Sequence, residues 1–474
     1  MAKAINPKPI DGSIDIELSP ILCWSSNSAD SSVLYFGTDE DDVTNSDSST
    51  LLAMTENEYY QHIGLLRGTT YYWKVNVIID STTTEGEVWS FEVNHSNWMH
   101  DWIPPVKERI NFNTEILQSH NRTEQRLALR DGYPRAYYTF DLYLTTAEWR
   151  TFDVLLSKWG KRKWPVPIWT DVQEYNGTLS AGAASISVDT SYANFRDNKY
   201  AVVYQPGTFE IVMIDTVSAS SFTLISNLVN TYTTRSWVMP CEFGYLVDYA
   251  EVEITRGYSK IRVTFSVEDL YTISGFTAEV SYDSMTVLHD PSLFMTAEGA
   301  EERHSPDITF LDYGTGPYTV ISNATYNEVV MPHRWRCETA ADCWWVRQFL
   351  HSVKGGQKAF LRPTFNADMH LTVQAGAADS IIYVTDNDMT AHMATRNRNY
   401  VAFNVNNNLV VRKVTGIADS GDDEALTLDA VVGSIYPIGT ALCWVDKCRL
   451  NNNDVEFTWK CQNYFECDTP LVRV

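Results

Sequence analysis

Residues 1–95 alternate apolar and polar positions in short runs that turn residues separate. The runs cover residues 14–18, 21–24, 33–36, 59–63, 71–78 and 88–93. Successive side chains on a strand point to opposite faces, so each run predicts a half-buried strand. Their spacing predicts a β-sandwich of immunoglobulin type, with no helix among these residues. The acidic run at residues 39–42 predicts an exposed turn, with a calcium loop as the alternative.

A helical period replaces this alternation at residue 145. Thr145 and Glu148 have the spacing of a capping box, in which a hydroxyl and a carboxylate satisfy free amides at a helix start. One apolar face follows at i, i+3, i+4 and i+7, formed by Phe152, Leu155, Leu156 and Trp159. The pattern predicts a helix that ends at Gly160, followed by a basic loop.

The same helix pattern returns 194 positions later, where Thr339 and Asp342 occupy the cap positions. The apolar face is then Val346, Phe349, Leu350 and Val353. Further matches follow in the same order, pairing Tyr200 with Tyr400 and Cys241 with Cys443, while the offset drifts from 194 to 204. We interpret this as a tandem duplication with a period near 200 residues. Two unrelated β domains are the alternative, and residues 123–126 have no clear counterpart in the second copy.

These patterns predict a mainly β protein with three parts. Residues 1–95 form the sandwich, residues 96–275 form segment 1, and residues 276–474 form segment 2. Each segment is expected to be a β-sandwich with one helix and a nested small β-barrel, at about residues 176–241 and 371–443. Residues 94–101 are expected to be a polar joint between the sandwich and segment 1.

Composition narrows the classes of function. Apolar residues make up 44% of the 474 and aromatic residues 13%, which excludes general disorder. The net charge is −24, and residues 1–95 hold fifteen acidic against four basic residues. This acidity argues against nucleic acid or an anionic membrane as the main partner. The start lacks the apolar core of a signal peptide, and no run of eighteen apolar residues occurs. We therefore expect a soluble protein without a membrane anchor.

The chain lacks the usual catalytic motifs, and we predict no enzyme, cofactor or metal. The eight cysteines are spread over a long chain, so a disulfide scaffold is disfavoured and reduced thiols are expected. The last four are spaced too widely for zinc knuckles. Basic residues with a neighbouring glutamate instead predict a subunit interface, since Arg pairs well with carboxylates on another chain. The predicted interface residues are Arg122, Glu124, Arg126, Arg130, Arg135, Lys161, Arg162 and Lys163. A phosphate site is disfavoured because no Gly-rich loop accompanies them.

The N-terminal region resembles the fibronectin type III family. The matching residues are a core Trp24, the Leu66-x-Gly68-Thr-x-Tyr71-x-Trp73-x-Val75 run and the closing Trp89-Ser-Phe91. The resemblance covers nearly all of residues 1–95. It implies a binding or spacing module without catalysis.

Residues 100–270 resemble distal tail or tail-tip proteins of long-tailed bacteriophages. The likeness rests on Trp102-Ile-Pro-Pro, on the run from Arg122 to Arg130, on Pro134-Arg135 and on the helix followed by Pro167-Ile-Trp169. It implies a structural virion protein, assembled in the host bacterial cytoplasm, whose ring joins the tail tube to baseplate hub or fibre proteins. The duplicated body departs from the family pattern.

If the ancestor formed a six-membered ring, a fused pair closes the same ring with three chains. We therefore expect a trimer with pseudo-sixfold symmetry rather than a hexamer. The alternative function is a carbohydrate-binding adhesin or receptor-binding protein of the tail, in which exposed aromatic rings stack on sugars. Trp344 and Trp345 are the candidate platform, although both lie at the start of a predicted core helix.

Overall fold

The computed structural model describes residues 3–26, 29–94, 102–233, 235–247, 251–255, 257–293, 301–324, 326–392, 398–405 and 408–474. Contacts divide the chain into two units. Unit 1 consists of residues 1–102 and 142–268, and unit 2 of residues 103–141 and 269–474. Most of the predicted joint, residues 95–101, lies outside the described residues.

The chain is mainly β, as predicted. The strands are β1 (Ile5–Lys8), β2 (Ser13–Ile16), β3 (Ile21–Ser25), β4 (Ser31–Gly37), β5 (Leu51–Thr55), β6 (Tyr59–Gln61), β7 (Thr70–Ile79), β8 (Thr82–Thr84), β9 (Val88–Val93), β10 (Ile103–Asn111), β11 (Thr114–Gln118), β12 (Glu124–Ala128), β13 (Arg135–Thr145), β14 (Trp164–Pro167), β15 (Gln173–Asn176), β16 (Ser185–Ile186), β17 (Tyr200–Gln205), β18 (Thr208–Ser218), β19 (Ser221–Leu224), β20 (Arg235–Leu246), β21 (Glu251–Thr255), β22 (Tyr258–Val267), β23 (Ser281–Tyr282), β24 (Met285–Thr286), β25 (Arg303–Ser305), β26 (Ile308–Leu311), β27 (Thr319–Ser322), β28 (Glu328–Arg336), β29 (Phe360–Pro363), β30 (Met369–His370), β31 (Ile381–Thr385), β32 (Tyr400–Val405), β33 (Asn408–Asp419), β34 (Asp423–Leu428), β35 (Ala441–Leu450), β36 (Asp454–Cys461) and β37 (Tyr464–Arg473). The α-helices are α1 (Glu40–Thr44), α2 (Thr146–Trp159), α3 (Ala340–Val353) and α4 (Met389–His392), and short 3-10 helices lie at Ser48–Thr50, Arg130–Gly132, Trp169–Asp171 and Pro291–Leu293.

The N-terminal part of unit 1 forms two sheets around a tryptophan-rich core. One sheet has the order β1-β3-β6, and the other has the order β2-β9-β7-β4-β5, with β8 paired to β7. Trp24, Trp73 and Trp89 are buried in this core, and the ring centroids of the last two lie 4.8 Å apart. Each predicted strand of this region corresponds to an observed strand, and β1, β5 and β8 are additional.

Helix α1 lies where the acidic run predicted a turn. Asp39 caps it, because its carboxylate accepts the amide of Asp41 at 2.9 Å. Acidic residues fill its first turn, which the helix dipole favours. The prediction that residues 1–95 contain no helix was therefore wrong. A five-residue helix is set by its cap and burial of Val43, and it is too short to show an apolar period.

In the remainder of unit 1, strand β20 is the centre of the sheet and pairs with β14, β15, β17 and β22. Helix α2 begins with the predicted capping box, in which the Thr145 amide donates to Glu148 at 2.7 Å. Phe152 and Trp159 are buried, while Leu155 and Leu156 are half-buried. The predicted helix and its apolar face are confirmed.

In unit 2, strand β35 has a corresponding arrangement of neighbours, because it also pairs with four strands, β29, β30, β32 and β37. Helix α3 also begins with a capping box, between Thr339 and Asp342. Its predicted apolar face is fully buried. Lys354 ends the helix in the left-handed conformation, with φ 54°, and Gly355 follows with φ 65°.

The pairings align the two segments residue by residue. Tyr200 lies opposite Cys241 on β20, and Tyr400 lies opposite Val445 on β35, so these strands correspond with a shift of 204. Cys443 lies opposite Ala402 instead. With this shift, the counterpart of Cys241 is Val445, so the match of Cys241 with Cys443 was wrong by two residues. Residues two apart on a strand point to the same face, so the alternation of apolar and polar positions could not reveal the error.

Candidate assembly interface

Strand β10 joins sequence-distant parts of unit 2 into one sheet. It lies between β13 and β36, and its pairing with β36 runs from Val106 opposite Trp459 to Asn111 opposite Asp454. Val106 and Ile110 are buried in this joint. In sequence, β10 belongs to the start of segment 1 and β36 to the end of segment 2. An element of one segment thus completes the sheet of the other by strand addition.

A buried ion pair lies beneath this joint. Glu108 of β10 accepts hydrogen bonds from Arg347 Nη2 at 3.2 Å and from Trp459 Nε1 at 2.9 Å. Both members of the ion pair are 1% exposed. Buried charges are stable only when they are paired and hydrogen-bonded. The geometry therefore fixes β10 to both α3 and β36.

Hairpin β11–β12 packs on the neighbouring surface of unit 2 through a second charged cluster. Glu124 accepts two hydrogen bonds from the guanidinium of Arg449, at 2.7 and 2.8 Å, and one from Arg126 at 2.7 Å. Burial alone raises the pKa of Glu124, but the two arginines outweigh it and hold the pKa below its usual range. The side chains of Glu124 and Arg449 are 2% and 7% exposed. This carboxylate therefore stays ionised inside the joint.

Two other predicted arginines of this region, Arg122 and Arg130, also have partners within unit 2. Arg122 donates to Asp307 at 3.1 Å and to the carbonyl of Tyr326 at 3.3 Å. Arg130 donates to the Asn111 side chain at 2.8 Å, and Arg135 is exposed on β13. The structure thus brings Arg122, Glu124 and Arg126 together on one hairpin. Their role between subunits stays a prediction.

The basic loop after α2 lies in unit 1 and is separately engaged. Lys163 donates to Glu17 and contacts Glu268, with N–O distances of 2.7 and 2.9 Å. Burial lowers the pKa of Lys163, but the two carboxylates raise the pKa by more than burial lowers it, so the net shift is upward. The guanidinium of Arg162 lies 4.8 Å from the Trp159 ring centroid, and Lys161 is exposed.

A cleft of about 440 Å³ adjoins this loop in unit 1. Its lining combines basic side chains, including Lys8 and Arg162, with the apolar Ile14 and Ile21. The lining also includes the hydroxyl of Ser13, the carboxylate of Glu17 and the amine of Lys163.

Both segments contain a further buried ion pair that the sequence reasoning missed. On β20, Glu242 accepts from Arg196. At the corresponding position of β35, Asp446 accepts from Arg398 Nε at 2.7 Å, and its Oδ1 lies 2.8 Å from Arg473 Nε as an ion pair. A lone acid within an apolar strand was the available signal. Glu108 gave a similar signal, because it falls in phase with Val106 and Ile110 on the inward face of β10.

The candidate sugar platform, Trp344 and Trp345, is partly packed inside the protein. Trp344 and Trp345 are half-buried, and the Trp345 ring stacks on Phe349 with centroids 5.5 Å apart. Among the described residues, no three His, Cys, Asp or Glu side chains are grouped so as to hold a metal ion. Within the same part of the chain, no helix is both long and apolar enough to cross a membrane.

No protein-family model matches this chain, and no curated protein matches it significantly.

Proposed function

We propose that this chain is a structural protein of a bacteriophage virion, forming a ring in the distal tail or tail tip. The ring links the tail tube to baseplate hub or fibre proteins. The observation that carries this proposal is the β10–β36 joint, in which part of one segment completes the sheet of another. Heterologous joints of this kind, when repeated, close into rings if the rotation at each step allows it.

The proposed architecture has a fibronectin type III-like domain at residues 1–95, followed by a tandem duplication at residues 96–275 and 276–474. Each segment would hold a nested small barrel, at about residues 176–241 and 371–443. The recurrence of the same strand pairings around β20 and β35 supports a common origin. So does the paired carboxylate on each of these strands, Glu242 and Asp446.

A duplicated chain in a six-membered ring requires three molecules. We therefore favour a trimer with pseudo-sixfold symmetry over a hexamer. The mass of the purified protein, measured by light scattering, distinguishes these states, and negative-stain images of the same sample show the outline. Rings with sixfold outline and the mass of three chains are expected. A monomer at every concentration would contradict the proposal.

A carbohydrate-binding or receptor-binding protein of the tail is the second candidate. The observation in its favour is the exposure of Tyr313 and Tyr318 on hairpin β26–β27, since exposed aromatic rings can stack on sugars. Binding to a glycan array that is lost in Tyr313→Ala would favour this candidate. Rings without glycan binding would argue against it.

A further inference from the structure

Hairpin β26–β27 is the counterpart, in segment 2, of the docked hairpin β11–β12. It lies between the paired strands β25 and β28, as β11–β12 lies between the paired strands β10 and β13. Ile308 pairs with Ser322 as Thr114 pairs with Ala128, which is a shift of 194 residues on both strands. Tyr318 therefore takes the position of Glu124, and Phe310 that of Ile116.

The two hairpins differ in burial and in chemistry. Glu124 is buried against Arg449, whereas Phe310, Tyr318 and Val320 are each more than half exposed. Asp312 is the one charged residue between positions 308 and 322. An isolated two-stranded hairpin is at best marginally stable in water, and a large exposed apolar patch marks an interaction site. This hairpin therefore has the composition of an interface core.

The surface that would receive it is found on segment 1. Trp164 lies opposite Gly244 and Phe360 opposite Cys448, so the shift of 204 also holds at this end of β20 and β35. Arg449 therefore corresponds to Tyr245, which is 38% exposed and is followed two residues later by the exposed Val247. The docked hairpin is held by the ion pair between Glu124 and Arg449. At the corresponding positions, the exposed hairpin carries Tyr318 and the receiving surface carries Tyr245.

The strand edges show the same complementarity. Among the described residues, the pairings with a residue-by-residue register are β25 with β28 and β21 with β22, whereas their counterparts β10 and β36 pair with each other. Ile254 on β21 corresponds to Trp459 on β36, because each residue belongs to the second residue pair from the turn of its hairpin. Trp459 is 3% exposed beneath β10, and Ile254 is 71% exposed. Both halves of a second joint are thus present and, among the described residues, uncovered.

We infer that this chain associates with a second copy of itself, head to tail, by repeating between molecules the joint that it contains within one. Strand β25 of one molecule extends the sheet at β21 of the next, and hairpin β26–β27 packs on Tyr245 of that molecule. Tyr318 replaces Glu124 on the hairpin, and Tyr245 replaces Arg449 on the receiving surface. Because both sides change together and both belong to this chain, a second copy is favoured over an unrelated partner. Closure after three molecules rests on the proposed ring, while head-to-tail association does not.

The test compares full-length variants by sedimentation velocity and light scattering over a concentration series. Tyr318→Glu and Tyr245→Glu are each expected to weaken association about tenfold or more, because a central aromatic side chain contributes strongly to an interface. Tyr192→Glu is the matched control, since Tyr192 is similarly exposed on segment 1 but lies outside the proposed joint. The double variant Tyr318→Glu/Tyr245→Arg recreates the chemistry of Glu124 and Arg449 and is expected to restore association.

Each outcome bears on the joint separately from the ring. Oligomers that persist unchanged in Tyr318→Glu and Tyr245→Glu would overturn the joint and leave the ring proposal standing. A wild-type chain that stays monomeric, or one that uses the hairpin to bind a glycan or another protein alone, would also overturn it. Open filaments that depend on Tyr318 would support the joint and contradict a closed ring of three.

Discussion

Helices α2 and α3 have the same length, 14 residues, and the same capping box, yet they differ in burial. Each packs one apolar face on its sheet. The second face of α3 is also covered, and there Arg347 and His351 are each 1% exposed. The corresponding positions of α2, 194 residues earlier, are the exposed Asp153 and Ser157.

The difference comes from what reaches each helix. Glu108 of β10 pairs with Arg347, and the Phe112 and Tyr271 rings lie 6.1 and 6.3 Å from the ring of His351. Local sequence therefore determines where these helices start and which face is apolar. Long-range strand addition determines whether a second face is buried, and only the covered helix uses charged and titratable residues inside the protein.

The largest expected effect comes from breaking the ion pair under α3. Glu108→Gln leaves the charge of Arg347 buried without a counter-ion, and we expect a loss of roughly 3–5 kcal/mol in unfolding free energy. Asp153→Asn on α2 is the matched control and should stay within about 0.5 kcal/mol. Urea unfolding measures both. Equal, small losses in the two variants would show that Glu108 and Arg347 are not the buried pair described above.

Acid should destabilise the covered helix more than its partner. Burial, and secondly the charge of Arg347, lower the pKa of His351 to about 3 from its ordinary 6.5. The unfolded chain binds the extra proton between these values, so this stabilisation is complete above pH 6.5 and is lost as pH falls toward 3. Between pH 7 and pH 4 we expect the wild type to lose roughly 3 kcal/mol more than His351→Gln.

Glutamine is chosen in that variant because its carbonyl can accept the Ile273 amide, which lies 3.4 Å from His351 Nδ1. Unfolding free energies measured at several pH values give the slopes. Parallel slopes for wild type and His351→Gln would contradict a buried, neutral histidine.

The N-terminal caps of α2 and α3 should contribute equally to the free energy of unfolding. Thr145→Ala and Thr339→Ala each remove the side-chain acceptor of a capping box, and each is expected to cost about 1 kcal/mol. Thermal unfolding of the two variants tests this. A much larger loss at Thr339 would mean that the helices already differ at their first turn.

The smallest effect is expected at the rim of the β10–β36 joint. Lys107 Nζ lies 2.7 Å from Glu456, but both side chains are about half exposed. Exposed ion pairs contribute little, so Glu456→Gln should cost less than about 1 kcal/mol. A loss comparable to that of Glu108→Gln would place the stability of the joint in its rim rather than in its core.

Much of the fold could be predicted from the sequence, because local patterns determine local structure. The alternation in residues 1–95 predicted most of its strands, and the spacing from Thr145 to Trp159 predicted α2. Helix α1 was missed because its signal is the Asp39 cap rather than a period. The shift between the segments was two residues off at Cys443, since a displacement of two on a strand keeps every side chain on its face.

The candidate interface was less predictable. The sequence marked Arg122, Glu124 and Arg126 as residues suited to carboxylate and guanidinium partners, and it could not say that Arg449 and Asp307 of the same chain are those partners. Pairing between strands hundreds of residues apart leaves no periodic trace. Glu108 on the inward phase of β10 was the one local sign that a charge is buried there.

The position of β10 in the chain also has a consequence for synthesis. Lys107 and Glu456, whose side chains form an ion pair across the joint, are 349 residues apart. At translation rates of about 5–20 residues per second, roughly 20–70 s pass between the emergence of the first strand and that of its partner. During this interval the edge of β10 has no β36 to pair with, so unit 2 completes its sheet only after β36 has emerged.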